Sequence, residues 1–440
     1  MKGVTPNTSL AAYKAAMAKA IRPPQLIKIQ VDVTADNTSY TFQAEDVVTA
    51  SKVDDIDPLS RRLPTQTFTF TAADPTNSFD PANPSGCWAA ERGDKVTVWL
   101  GLDIGGTDVW ADPDYYYLTG RPEAGTGTVV FQAQGRIATL DGHWWQDYGT
   151  PQYATAVGNI LTSAGVAAGD RNVDAYELNR RTGIASESEP CTHAEALQRF
   201  AHASGMALYS RDDKVCMQRW FDISSPMDFS GNAIALRDVI LNGDTVVKTD
   251  PVKTLRVSGY QQVMDTTTET IWEGDIYMGS VLSVQGYHFT YGGDPFWDVN
   301  IAVTGGPVLA LQTIGQYECS IALSGSGTAH VVITGSPMEV GEATREFTIG
   351  TTGATEELNN PLIGFDATTA IIRDWLIDDY TWYLAQRVTH SVKHRGTTLI
   401  EPGDLLTLTT DRGTVNGLVL AVRTDYNGAV SSTLTIKEIS

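Results

Sequence analysis

The sequence predicts a mainly β chain of several domains that carries one mixed α and β insert. Three observations lead there. Segments such as "TQTFTFTAAD" alternate strictly, with Phe68 and Phe70 on one face and Thr67 and Thr69 on the other. Turn signals rich in Gly, Pro, Asn and Asp separate such segments at short intervals, drawing on 40 glycines and 19 prolines. Helical periodicity holds only a few windows of the 440 residues. A hydrophobic content of 42% against 19% charged residues is that of a folded chain. The length suits about three domains of roughly 150 residues each.

Residues 1–24 read as a helical arm. Leu10, Tyr13, Met17 and Ile21 share one side of a helix over 8–21, and Arg22-Pro23-Pro24 stops it. Such an arm either caps its own core or docks on a neighbouring subunit, and the residues leave both open. Residues 25–145 form the first β domain, with "QLIKIQVDV", "TQTFTFTAAD", "DKVTVWLGL" and "TVVFQAQGRIATL" as strands, a spacing suited to a barrel or sandwich.

The period changes in 146–250, an α+β insert with room to return strands to the first barrel. Thr150 is the N-cap and Pro151 the first position of a helix whose stripe is Tyr153, Val157, Ile160 and Leu161, with Gly165 beyond its end. A second helix carries the capping box Thr192-x-x-Glu195, buries Leu197, Phe200 and Ala201, and stops at Gly205. A hairpin follows, turning at Arg211-Asp212-Asp213.

Residues 251–345 return to strands. Residues 346–440 are a C-terminal β domain with one helix, which starts at Asp366 and carries Ile371, Ile372, Trp375, Leu376 and Leu384. Its closing sheet is punctuated by Pro402-Gly403-Asp404, Asp411-Arg412-Gly413 and Asn427-Gly428, the last read as a two-residue hairpin turn.

Chemistry is sparse. A net charge of −21 argues against a basic nucleic-acid groove. Cys87, Cys191, Cys216 and Cys319 are far apart and read as reduced thiols, not as a zinc site or a disulfide framework. No stretch reaches the roughly 18 apolar residues of a membrane span. The N-terminus lacks the apolar core of a secretory signal, so a soluble cytoplasmic product is expected.

His390 and His394 stand four apart without the glutamate of a zinc-protease helix and read as a partly exposed polar face; His193 and His202 read as helix residues. Asp54-Asp55 and Asp378-Asp379 are adjacent acids that diverge on a strand or helix, so they read as solvated charge and not as a glycosidase pair. No phosphate-binding loop or serine-hydrolase elbow occurs. Trp144-Trp145, Tyr115-Tyr116-Tyr117 and the Tyr291 to Trp297 stretch read as core or interface aromatics, with a sugar platform as the alternative. No catalytic, cofactor or metal residue is expected.

In this order, "LPTQTFTFTAADPTNSFDP", "WAAERGDKVTVWLG" and "YYYLTGRPEAGTGTVVFQAQGRIATLDG" resemble the opening domain of phage tail hub proteins, also called tail-tip or baseplate hub proteins. "THAEALQRFAHASGMALYSRDDKVCMQRW" resembles that family's helix-plus-hairpin insert, and "TTLIEPGDLLTLTTDRGTVNGLVLAVRTDYNGAVSSTLTIKE" is similar to its last domain. The resemblance spans most of 25–440 and lies in the order of the segments.

It implies a structural protein of the virion tail tip, assembled in the host cytoplasm. Two tail-tube-like β-barrel domains per chain, near 25–145 and 346–440, would let a homotrimer match the six-fold tube to three-fold tip structures. Implied partners are distal tail or tail tube proteins, the tape measure protein and central fibre or receptor-binding proteins. Genomic DNA would pass through the channel without specific binding, repelled by an acidic bore. The competing readings are a glycan-binding tail adhesin, the hexameric distal tail ring protein and a β-rich carbohydrate enzyme.

Overall fold

The computed structural model describes residues 2–5, 10–19, 22–83, 89–144, 153–174, 191–219, 227–229, 233–235, 239–279, 283–292, 296–314, 318–365, 374–396 and 399–439. Ile21, Cys87, Trp145, Thr150, Pro151, Asp366, Ile371 and Ile372 lie outside the described residues, and with them the predicted starts of the helices expected at 150 and 366.

The arm consists of β1 (Val4–Thr5) and α1 (Leu10–Met17). Alternating segments then form β2 (Gln25–Val33), β3 (Thr38–Phe42), β4 (Val47–Asp55), β5 (Thr65–Ala73), β6 (Lys95–Asp103), β7 (Asp108–Ala111), β8 (Asp114–Leu118), β9 (Glu123–Gly125) and β10 (Thr128–Gln134). The mixed region holds β11 (His143–Trp144), α2 (Tyr153–Ser163), β12 (Arg171–Val173), β13 (Cys191–Thr192), α3 (His193–Ser204), β14 (Ala207–Arg211), β15 (Lys214–Gln218), β16 (Ala233–Ile234) and β17 (Val239–Lys248). Next come β18 (Val252–Met264), β19 (Glu269–Tyr277), β20 (Ser283–Thr290), β21 (Phe296–Gly305), β22 (Val308–Ile314), β23 (Glu318–Gly325), β24 (Thr328–Thr348) and β25 (Ala354–Phe365). Helix α4 (Asp374–Ala385) leads into β26 (Val388–His394), β27 (Leu405–Thr410), β28 (Gly413–Tyr426) and β29 (Val430–Glu438).

The first unit is a curved sheet in the order β3-β2-β6-β8-β10-β5-β4. Its inward residues, among them Ile29, Val31, Phe68, Phe70, Val98 and Phe131, make one core. Phe70 and Phe131 stack at 4.5 Å, and Phe42 meets both edge-on at 5.5 Å. The expected barrel does not close. β3 and β4, the two ends of the sheet, share this core but no ladder, because β4 gives its free edge to β28 instead.

The last unit has the order β17-β26-β29-β28-β27, with β16 parallel to β27, and it too is an open sheet. The two units share a topology. In the first, β4 pairs β5, β5 pairs β10, β10 pairs β8 and β8 pairs β6, all antiparallel. In the last, β17, β26, β29, β28 and β27 repeat that path strand for strand, again all antiparallel. β28 joins the units into one 16-stranded sheet: its first half pairs β27 and its second half, residues 421–426, pairs residues 50–55 of β4.

Between the units, β18 runs antiparallel to β24 and parallel to β25. Helices α2, α3 and α4 cover this sheet in the largest core, which holds Ile160, Leu197, Phe200, Leu255, Leu362 and Tyr380. The capping box of α3 forms in full, and Gly205 closes the helix at φ +66°. The ladders cross two expected boundaries: β25, inside 346–440, joins the middle sheet, whereas β16 and β17, inside 146–250, join the last unit. Beyond Met264 and Met338, β19-β24-β21 and β20-β23-β22 enclose a separate small core of Phe296, Ile301, Ile321, Leu323, Val331 and Ile333.

The arm packs on its own chain. Val4 pairs Ala111 of β7, and Tyr13 is fully buried in a cluster with Leu102, Val109 and Leu399.

Candidate assembly junction

The junction between the units is built from three contacts. The β4–β28 ladder is extended by Ile56, whose N–H donates to Leu420 O at 3.0 Å. Ser51 Oγ donates to Asp425 Oδ1 at 2.7 Å across it. At its end Tyr426 and Val430 enter the core of the first unit, so the β28–β29 hairpin tip fills the neighbour's interior. That tip differs from the expected turn. Its loop is the three residues 427–429, with only Gly428 at positive φ (+88°), a longer loop class than the two-residue turn.

Alternation along β4 turns Ala50, Lys52 and Asp54 inward, and this sends two charges to the inner face of the curved sheet. Lys52 Nζ lies 2.8 Å from Asp114 Oδ2 and 3.0 Å from Asp54 Oδ2. Lys2 Nζ bonds Asp114 from the arm and donates to Asp112 O at 3.0 Å. Tyr116 OH donates to Asp54 Oδ1 at 3.0 Å. Two cations thus meet two carboxylates, the arrangement that makes buried charge tolerable. Burial works to raise the Asp114 pKa, but Lys2 and Lys52 outweigh it and hold the carboxyl at about 2. Burial alone would depress Lys52; Asp114 and Asp54 lift it above the ordinary lysine range instead. Burial and the Asp54 charge drive the Tyr116 phenol well up.

Asp54, Asp114 and Tyr116 of this cluster line a cleft of about 40 Å³ together with Arg136, Arg211, Asp213 and Glu401. Burial pushes the Glu401 carboxyl up despite Lys2 and Arg211, so a raised and a depressed acid lie side by side, as in acid–base catalysis. The space decides against that use: sites for small molecules run to roughly 300–1,000 Å³, and this cleft has room for water only. Its far wall is the β14–β15 hairpin, docked on the first unit through Asp213. That carboxylate accepts Tyr117 OH and Lys95 Nζ, each at 2.6 Å, while Arg136 Nη1 donates to Asp213 O at 2.9 Å. The hairpin turns on Asp212 and Asp213, both at positive φ (+52° and +61°).

The histidines do not converge. His390 and His394 lie on β26 and are buried, not partly exposed as the sequence suggested, because β26 is sandwiched between β17 and β29. His390 bridges Asp244 (3.4 Å) and Glu438 (3.1 Å), whereas His394 Nδ1 accepts the Gly396 N–H at 3.1 Å. Burial lowers the His394 pKa to about 4. His193 Nε2 bonds Ser163 Oγ at 3.0 Å, and burial lowers His202 to about 4. Among the described residues no group of three or more His, Cys, Asp or Glu is placed to hold a metal.

Each acidic pair splits as expected, but only one member of each is solvated. Asp55 meets Arg62 at 2.7 Å on the outside while Asp54 is buried. Asp378 is exposed, whereas Asp379 is wholly buried and holds Arg219 through two 2.8 Å bonds. The aromatics are largely core: Tyr116, Trp144, Tyr291 and Phe296 are buried. Cys191, Cys216 and Cys319 are buried thiols that form no disulfide among the described residues.

Sequence reading missed Lys2, Asp114, Arg219 and the β4–β28 join. The one available signal was parity, since Lys52 and Asp54 share the inward register of Ala50.

No family model and no curated protein matches the sequence. Among solved structures, the chain is similar to the tail protein from Neisseria meningitidis MC58, at 11% identity and TM-score 0.49 over 94% of this chain and 96% of that one. It is also similar to the prophage MuSo2 43 kDa tail protein from Shewanella oneidensis, at 10% identity and TM-score 0.48 over 93% and 98%. Prophage tail protein gp18 from Listeria monocytogenes EGD-e follows at 9% and 0.42 over 93% and 94%. At TM-scores below 0.5 these likenesses carry no functional weight of their own. The structural neighbours of this chain include phage tail and baseplate proteins.

Proposed function

We propose that the chain is a structural subunit of a phage tail tip, three copies of which close a ring around the DNA channel and adapt a six-fold tube to three-fold tip structures. One observation carries this reading. A single polypeptide holds two sheets that share a five-strand antiparallel path, joined edge to edge through β4 and β28. Each chain therefore supplies two like steps of a ring, and three chains supply six. The contact is heterologous, the kind that generates rings when its rotation closes.

The resemblance of the sequence to hub proteins supplies the number three and the neighbours: distal tail or tube proteins, the tape measure protein and central fibres. A net charge of −21 suits a channel that passes DNA without holding it. The glycan-binding alternative loses two of its aromatics, since Tyr291 and Phe296 meet edge-to-face at 5.7 Å inside a core.

Native mass spectrometry of the full chain, with class averages from electron micrographs, tests the proposal. Three copies around a pore are expected. Six copies would favour the distal ring protein, and a monomer at the highest soluble concentration would remove the ring altogether. Incubation with peptidoglycan and common glycosides is expected to give no turnover.

A further inference from the structure

The in-chain junction leaves its own counterpart open. In the first unit β4 has two neighbours, β5 and β28; its topological equivalent in the last unit, β17, pairs only β26 among the described residues. The half of β28 that receives β4 is the one that turns directly into β29. In the first unit the stretch that turns directly into its own partner is β9, with Gly125 opposite Thr128 of β10. Among the described residues β9 pairs only β10, and all three of its residues are exposed. One donor edge and one acceptor edge therefore stand unpaired, on opposite units, and their equivalents are paired to each other within the chain.

Two further features liken β17 to β4. Both strands carry a register irregularity towards their N-terminal end, between Val47 and Thr49 in β4 and between Val239 and Asp244 in β17. β17 also leaves Ile240 44% and Val247 61% exposed on an open edge. Proteins ordinarily blunt such an edge or cover it, because unpaired N–H and C=O groups beside apolar side chains recruit another strand.

We propose that β17 of one copy adds antiparallel to β9 of the next, so that the step made inside the chain by β4 and β28 recurs between chains. The occupant of each open edge is thus a second copy of this protein. Every copy donates one of these two edges and receives the other, so neither is left over once the ring closes. This deepens the ring reading and rests on it. β9 is only three residues long, so the contact between chains offers fewer ladder bonds than the six-residue contact within one.

The test is disulfide trapping in the full chain. Cysteines at Thr245 or Val247 of β17 are combined with cysteines at Glu123 or Ala124 of β9, and oxidised species are counted under denaturing conditions. The control combines the β17 cysteines with one at Ser39 of β3, another open edge of the first unit. Linked dimers and trimers are expected from the β17/β9 pairs and not from the control. A native trimer that fails to link through β9, or links equally through Ser39, overturns this inference and leaves the ring reading standing. A protein that never assembles overturns both. As a second variant, Val247→Lys places a charge on the edge and is expected to weaken assembly about tenfold or more with an unchanged circular dichroism spectrum. Undiminished assembly of this variant counts against the pairing.

Discussion

Lys52 shows how much depends on one side chain whose role is invisible in its own neighbourhood. Its partner Asp114 lies 62 positions away and the supporting Lys2 a further 50 back, so "TASKVDDI" reads locally as solvated charge. Lys52→Met leaves Asp54 without its cation in a buried site and should cost about 3–5 kcal/mol in denaturant unfolding, the usual penalty for stranding a buried charge. Acid should act in two stages. Burial depresses His394 and His202 to about 4, so their neutral forms stabilise the fold fully above the unfolded value of about 6.5. That contribution is lost as pH falls from about 6.5 towards 4, on the order of 3 kcal/mol for His394. Asp114, held at about 2, stabilises above its unfolded value near 3.8, and its share of about 2 kcal/mol is lost only as pH falls from there towards 2. Thermal melting across pH should therefore show an upper and a lower limb. His394→Gln should shrink the upper limb to the share of His202 and leave the lower one; an unchanged upper limb would assign it elsewhere.

Elements with a strong local code were legible: the Thr192 capping box and the alternation of β5 formed as read, and the hairpin turn expected at Arg211-Asp212-Asp213 formed on Asp212 and Asp213, with Arg211 still in β14. Partner choice was not, because a strand's neighbours are written in other strands. Nothing within 354–365 says that β25 runs parallel to β18, and nothing within 413–426 says that β28 changes partner halfway. For the same reason a barrel was expected where the sheet stays open: β3 and β4 adjoin in sequence, but β28 competes for the free edge of β4 and wins. The competition is testable by hydrogen exchange. Val53 lies in a stretch of β4 paired on both sides, so Val53→Pro deletes a ladder bond and crowds the sheet. Amides in 421–426 should then exchange faster by on the order of tenfold, while 413–418, paired to β27, keep their protection. Equal loosening of both halves would mean that β28 opens as one unit and that the junction is not a separable contact.

At the scale of the molecule, the small two-sheet module over 265–337 is an excursion from one hairpin. Met264 of β18 and Met338 of β24 stand opposite each other, and β19 to β23 all lie between them in the chain. Its core shares no residue with the larger clusters, so its apolar burial adds little to the stability of the rest. The 21-residue β24 pairs β18 along residues 338–348 and β19 along residues 328–335, and spans about 70 Å at roughly 3.3 Å per residue. Replacing 265–337 by Asn-Gly, the turn that joins directly opposed strands, should convert β18 and β24 into a plain hairpin. The shortened chain is expected to fold, to keep the hydrogen-exchange protection of β4 and β28, and to assemble with the same copy number in native mass spectrometry. If it folds but stays monomeric, the module takes part in the ring and the two-unit sheet does not suffice to close it. If instead the ring survives, assembly resides in the paired sheets alone, and the surface of the module is left free for another partner.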